Sequence, residues 1–263
     1  MLKAMNYSSE PLPPHVEAQT LVGPMLLPRD DTVVTPLILA QRAWEPAESA
    51  ALTALIRRGA NVVDIGAHVG YMTMLAAARV GSEGTVLAIE AHSGNFALLR
   101  ENVARNGLSQ VRAVHAAAWR SSGELRTLTV SPDNSGDHRV FLRSGATDVS
   151  QVQTVAIDEL IAADRRIDVV KIDTQGTDHI AIEGMRNTIA RCHPVVVVEF
   201  WPPGIDEFGD NPTSVLAFYR NLGYGITILE APGLGPDAPD TELIDKTLRC
   251  PGEFCTLVLQ PDQ

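Results

Sequence analysis

Five short apolar runs constrain this chain more than any other feature. They are Asn61–Ile65 (NVVDI), Thr85–Glu90 (TVLAIE), Val111–Ala117, Val169–Ile172 and Pro194–Phe200 (PVVVVEF). Helical patterns follow over Tyr71–Arg79 and Asn95–Asn106, near Asp178–Arg191 and near Thr213–Leu222. Strands that are apolar throughout are buried on both faces, and alternation with helices arranges them in a parallel sheet covered on both sides. Glu45-Pro46-Ala47-Glu48 opens a helix upstream of the first strand, with proline in its first turn and Gly59 fitting its stop. Gly225–Leu229 and Glu253–Leu259 read as two final strands. A Pro/Gly-rich loop with no helical pattern separates them, so they pair antiparallel. The expectation is an α/β chain with a doubly wound, mostly parallel sheet of seven strands.

Two regions depart from the alternation. Residues 1–43 lack a clear period, contain a β-like run at Thr32-Val33-Val34, and read as an N-terminal extension to one domain over 44–263. Between Trp119 and Leu160 the helices lapse, and Leu125–Val130, Arg139–Leu142 and Val152–Val155 read as short strands. This is a small β-rich insertion between the third and fourth core strands, placed to fold over the sheet's end as a lid.

Composition bounds the partners. With 263 residues and 45% hydrophobic content the chain can bury one large core. No apolar stretch approaches the ~20 residues of a membrane span, and MLKAMNYSSEPLPPH has no signal-type apolar centre. Cys192, Cys250 and Cys255 stand at no metal or disulfide spacing, which points to reduced thiols and a cytoplasmic protein. A net charge of −11 without a long Lys/Arg run favours a small-molecule partner over nucleic acid or membrane. A homo-oligomer stays open.

The first strand runs into Asp64-Ile65-Gly66-Ala67-His68-Val69-Gly70. In a doubly wound sheet, ligands bind beyond the carboxyl ends of the strands where the strand order reverses, and glycines let the backbone approach them. Glu90 closes the second strand, about 20 residues on, where such folds bind ribose hydroxyls. A dinucleotide fingerprint requires glycine at position 64, and Asp64 stands there instead. A carboxylate at this turn repels pyrophosphate and suits a cationic sulfonium or amino group. The pattern therefore points to S-adenosylmethionine rather than NAD.

These residues resemble the FkbM-type S-adenosylmethionine-dependent methyltransferases. The resemblance rests on Trp44-Glu45-Pro46 with Glu48, DIGAHVGYMT, IEAHSGNFALLRENVARNG, TVAIDEL, IDVVKIDTQGTDHIAIEGM and PVVVVE, in that order. Three positions differ from the usual family pattern: His68 stands where Asn is common, Ala91 follows Glu90 in place of Pro, and Gln175-Gly176 replaces an acid-Gly pair. The resemblance implies the Rossmann-like class I methyltransferase fold and methyl transfer to a hydroxyl, commonly of a sugar or polyketide-type secondary metabolite. An NAD-dependent oxidoreductase and a non-catalytic binding scaffold are the competing readings.

Candidate site residues follow from strand ends and loops. Asp64, Gly66, His68, Gly70, Glu90 and Ala91 belong to the cofactor turn, and His68 either contacts a ligand or packs. Trp119, after the third strand, lies against the adenine or seals the core. Asp173 ends the fourth strand and is the first candidate to bind the acceptor hydroxyl or take its proton; capping the next helix is the alternative. Asp137 and His138 lie in the insertion beside Asn134, His138 being a candidate base near neutrality. Glu199 and Trp201, at the end of the fifth strand, are candidate acceptor contacts. Lys171 is expected to ion-pair. A metal is not expected; Asp173, Asp178 and His179 are the residues from which a divalent site would be built.

Overall fold

The computed structural model describes residues 11–143, 145–229 and 239–262. In chain order the elements are β1 (His15–Thr20), β2 (Gly23–Pro28), α1 (Val34–Gln41), α2 (Pro46–Leu55), β3 (Asn61–Ile65), α3 (Tyr71–Val80), β4 (Thr85–Glu90), α4 (Ser93–Arg105), β5 (Val111–His115) and β6 (Ala117–Ala118). They continue as β7 (Leu125–Thr129), β8 (Val149–Val155), β9 (Val169–Ile172), α5 (Asp178–Glu183), α6 (Arg186–Cys192), β10 (Val195–Phe200), α7 (Pro202–Phe208), α8 (Pro212–Asn221), β11 (Tyr224–Ile228), α9 (Asp240–Thr247) and β12 (Cys255–Pro261).

The main sheet has seven strands in the order β11-β12-β10-β9-β3-β4-β5. β10, β9, β3, β4 and β5 are parallel, and β12 runs antiparallel between β10 and β11. The strand order reverses between β3 and β9, where the carboxyl ends at Ile65 and Ile172 stand side by side. Sequence predicts this sheet because Val62, Val63, Val169, Val170 and Val196–Val198 are all buried. β-branched side chains fit a strand packed on both faces. Helix α4 starts where the His92 imidazole accepts a hydrogen bond from the Asn95 N–H. The insertion forms a three-stranded sheet, β6-β8-β7.

Several boundaries differ from the sequence reading. The third strand ends at His115, and Ala117–Ala118 pair with β8 rather than continuing it. Arg139–Leu142 contributes one bridge, Thr129 to Arg139, not a strand. The helix expected near Asp178–Arg191 is two helices, because the backbone leaves the helical region at Met185, with φ −127°. α7, with proline in its first turn, follows β10 where no helix is expected from the sequence. α9 stands between the last two strands, with its buried Leu243 outnumbered by charged neighbours in sequence. The Pro/Gly run at 230–238 lies outside the described residues.

Residues 32–34 do not form a strand. Asp31 Oδ1 accepts from the N–H groups of Val33, Val34 and Thr35 at 2.8, 2.6 and 3.2 Å, which starts α1. β1, β2 and α1 join α2 and α3 in one apolar cluster with Met25, Leu26, Leu27 and Ile38 at its centre. Asn102, fully buried on α4, ties β2 to the glycine turn. Its Oδ1 accepts from Leu26 N–H at 2.6 Å, and its amide donates to the Leu26 and Val69 carbonyls.

Candidate active site

A cavity of about 350 Å³ opens at the carboxyl ends of β3, β4, β9 and β10. Its walls come from the glycine turn, from α1 and Trp44-Glu45, from the insertion at 134–140, and from Gly252 and Phe254 ahead of β12. Of the sequence candidates, Gly66, His68, Glu90, Ala91, Asn134, Asp137, His138, Asp173, Glu199 and Trp201 line it. Asp64, Gly70 and Trp119 stand behind the lining.

The turn is glycine for a steric reason. Gly66 has φ +74°, and a Cβ there would lie 1.7 Å from the Asp173 carbonyl oxygen. Asp64 is 1% exposed beneath the turn. Its Oδ2 accepts from Thr73 Oγ1 at 2.5 Å, and its Oδ1 has no hydrogen-bond partner among the described residues. Glu90 accepts from His68 N–H on one carboxyl oxygen and from His92 N–H on the other, each at 2.8 Å. Burial nevertheless pushes its carboxyl up to about 7. Trp119 packs between Phe208 and the Arg126 guanidinium, 4.6 Å above its ring.

Charge concentrates at the end of β9. Lys171, paired with Asp64 in strand register, reaches Asp173 Oδ2 at 3.4 Å. Burial draws the ammonium down, but Asp173, Glu48 and Asp64 outweigh burial and hold it protonated. Gln175 donates one amide nitrogen to Asp173 Oδ1 at 2.7 Å and to Glu199 Oε2 at 3.2 Å. Burial first, then the charges of Asp173 and Asp178, push the Glu199 carboxyl well above the usual range. Asp178 turns away from the cavity and accepts from the N–H groups of Thr174 and Gly176. His179 turns to Asp210, 2.8 Å away. The residues weighed for a metal are thus dispersed. No group of three or more His, Cys, Asp or Glu side chains among the described residues is placed to hold one.

The insertion covers the cavity and is pinned on two sides. Arg139, 5% exposed, makes a bidentate pair with Asp137, bonds to Glu207 on α7, and lies 4.3 Å above the Trp201 ring. Asp137 is therefore occupied by a cation. Towards the N-terminal segment, Asp133 O accepts from Thr32 N–H at 2.9 Å, and Ser135 bonds to Asp31 Oδ2 through both N–H and Oγ. Ser135 Oγ also meets His68 Nε2 at 2.7 Å. His138 Nδ1 accepts from Ser131 N–H at 3.1 Å, and its ring sits 4.2 Å from that of His92. Burial and the neighbouring His92 and His68 depress its imidazole to about 3. A neutral His138 thus carries its proton on Nε2 and offers a donor, not a base. Asn134 Oδ1 accepts from Gly136 N–H.

Asp31, Ser135, Asn95 and Arg139 were not singled out in sequence. Only Asp31 carried a signal there, as an acid just ahead of a Thr-Val-Val run with proline in the next turn, a helix start.

The donor set fits a cationic nucleoside ligand. Glu90 keeps lone pairs free on both oxygens at the cavity wall. Ala91, Ala117 and Ala118 leave room beside it for a flat ring, and carboxylates outnumber the two cations, Lys171 and Arg139.

The family model described as the methyltransferase FkbM domain matches residues 64–226. No curated protein matches the chain. Among solved structures, a putative rRNA methylase from Clostridium thermocellum aligns with TM-score 0.51 and 10% identity, over 82% of this chain and 94% of its own. Methyltransferase FkbM from Methylobacillus flagellatus KT aligns with TM-score 0.49 and 17% identity. That alignment covers 79% of this chain, which spans 45% of the Methylobacillus protein's length. SMU.1697c, a putative methyltransferase from Streptococcus mutans solved with SAH, aligns with TM-score 0.48 and 10% identity, over 81% and 94%.

Proposed function

The chain belongs to the FkbM methyltransferase family and uses S-adenosylmethionine, and from that premise we propose that it methylates a hydroxyl of a small cytoplasmic molecule, a sugar or polyketide-type secondary metabolite. One observation carries the reading: the carboxyl ends of β3, β4, β9 and β10 enclose a cavity with Glu90 on one side and Asp173 and Glu199 on the other. The first carboxylate suits a ribose diol, and the second pair suits a hydroxyl acceptor. The domain spans 44–263, with 1–43 as an extension that supplies Val33, Val34 and Ile38 to the cavity wall.

S-adenosylmethionine supplies a methyl group on a sulfonium. The protein's share is alignment, which is worth about 7–11 kcal/mol when reacting atoms are held in line. Glu90 holds the ribose, with Ala91 beside the base. Asp64 and Glu45 give the floor its negative sign. Asp173, fixed by Lys171 and Gln175, orients the acceptor hydroxyl, with Glu199 beside it. Asn134, Asp137, His138 and Trp201 wall the acceptor and exclude water. The −11 net charge supports a small molecule over nucleic acid.

The test is calorimetric titration with S-adenosylmethionine, S-adenosylhomocysteine and NAD, followed by a screen of sugar and polyketide alcohols for methyl incorporation. Micromolar binding of the first two, none of NAD, and an O-methyl product are expected. NAD binding would restore the oxidoreductase reading, and no binding at all would favour the scaffold.

A further inference from the structure

We propose that His68 is the group that takes the acceptor's proton, and that Ser135 and Asp31 are positioning residues that fix its tautomer. The inference rests on the methyltransferase reading above. It concerns a histidine that stands in the glycine turn, where the family resemblance leads one to expect Asn.

Hydrogen-bond direction sets the tautomer. A carboxylate only accepts. Asp31 is ionised: burial alone would raise its carboxyl, but bonds from Ser135, Val33 and Thr35 hold it below the usual range. The Ser135 hydroxyl proton is therefore spent on Asp31 Oδ2. The 2.7 Å contact between Ser135 Oγ and His68 Nε2 must then be Nε2–H donating to oxygen. A neutral ring protonated on Nε2 carries its lone pair on Nδ1. That nitrogen has no hydrogen-bond partner among the described residues, and the ring lines the cavity. Asn95 braces the arrangement by donating to the Ser135 carbonyl at 2.8 Å.

The other acid–base candidates read from the sequence are engaged elsewhere. Asp137 is held by Arg139, and Glu199 accepts from the Gln175 amide. His138 presents Nε2–H. Glu90 receives two backbone N–H groups. Asp173 is paired with Lys171 and with the Gln175 amide. Besides Asp31, the charged or titratable groups acting on His68 are Asp173, Lys171, His92 and His138. Burial outweighs them and depresses its imidazole to about 4, so the ring is neutral through the physiological range.

A weak base suffices for this step. A hydroxyl oxygen that is gaining a methyl group becomes strongly acidic, so its proton falls to any open lone pair within reach. The oxygen forms one bond to carbon, and the C–S pair leaves with sulfur as a neutral thioether. The O–H proton passes to Nδ1, and the resulting imidazolium lies next to the Ser135–Asp31 pair. No other co-reactant is required.

The test reads the ring directly. Long-range proton–nitrogen NMR of protein labelled with 15N-histidine is expected to show one ring with Nε2 protonated and Nδ1 bare down to about pH 4, absent in His68→Asn. Asn tolerates the left-handed φ of +52° at this position, so the variant should fold. Ser135→Ala should convert the single tautomer into a mixture. Diethyl pyrocarbonate should modify His68 in mapped peptides, and S-adenosylhomocysteine should protect it. A proton on Nδ1, a mixed tautomer in the native protein, or a His68 inert to the reagent would overturn the proposal. Failure of the native protein to bind S-adenosylmethionine would instead remove the methyltransferase reading, independently of the tautomer.

Discussion

Glu90 sets stability against binding, and Glu90→Gln separates the two. Its carboxyl is 6% exposed and rises from 4.5 to about 7 because burial outweighs the two backbone N–H bonds. A raised carboxyl gives stability that is complete below its unfolded value and is lost as pH climbs through the folded value. A shift of about 2.5 units at about 1.36 kcal/mol each makes the loss about 3 kcal/mol, most of it between pH 5 and pH 8. Glutamine does not titrate. The unfolding free energy of the native protein minus that of Glu90→Gln should therefore fall by about 2–3 kcal/mol across that interval, measured by urea denaturation at both pH values. Glutamine offers the ribose one acceptor in place of a carboxylate, so S-adenosylmethionine affinity at pH 8 should drop about 10- to 100-fold by calorimetry. A stability difference that stays flat from pH 5 to pH 8 would refute the burial argument. Unchanged affinity would refute the ribose assignment.

Other substitutions probe the rest of the site. Gly66→Ala would drive a Cβ to 1.7 Å from the Asp173 carbonyl at φ +74°. It should cost about 2–4 kcal/mol in denaturant unfolding and abolish cofactor binding. Lys171→Met leaves Asp173, Glu48 and Asp64 without their shared cation, and should destabilise by about 3–5 kcal/mol, with a smaller loss at acid pH where the carboxyls protonate. Arg139→Ala removes the cation joining the insertion to Glu207 and Trp201. Limited proteolysis should then cut near residues 131–143 at least tenfold faster, and an unchanged cleavage rate would show that the N-terminal contacts alone hold this segment.

The sheet was legible because each core strand announces itself without help from its neighbours. PVVVVEF can be little else, and Glu90 follows the glycine turn at a spacing the fold dictates. What was not legible depends on contacts distant in sequence. Nothing local marks Met185 as the point where the backbone leaves the helix, so a single helix is expected where two stand. α9 has a single fully buried leucine, Leu243, amid acids and lysine, and its apolar signal emerges only against α8. At the site, the types of Asp137 and His138 suggested acid–base chemistry. Arg139 and the Ser131 N–H, which occupy them, became visible only with the chain folded. Ser135 drew no notice because its partners, Asp31 and His68, lie 104 and 67 residues away.

The antiparallel strand β12 has a consequence for the order in which the molecule can be assembled. It lies inside the sheet between β10 and β11, yet it is the last of the sheet's strands in the chain. Until Cys255–Pro261 has been synthesised, the valine-rich edge of β10 stays unpaired, and β11 has no strand to join. An open, apolar strand edge is a template for pairing with other chains. Synthesis therefore carries a vulnerable interval that ends only when the final strand slots in. Chains cut short before Cys255 should aggregate rather than accumulate as soluble, partly folded protein.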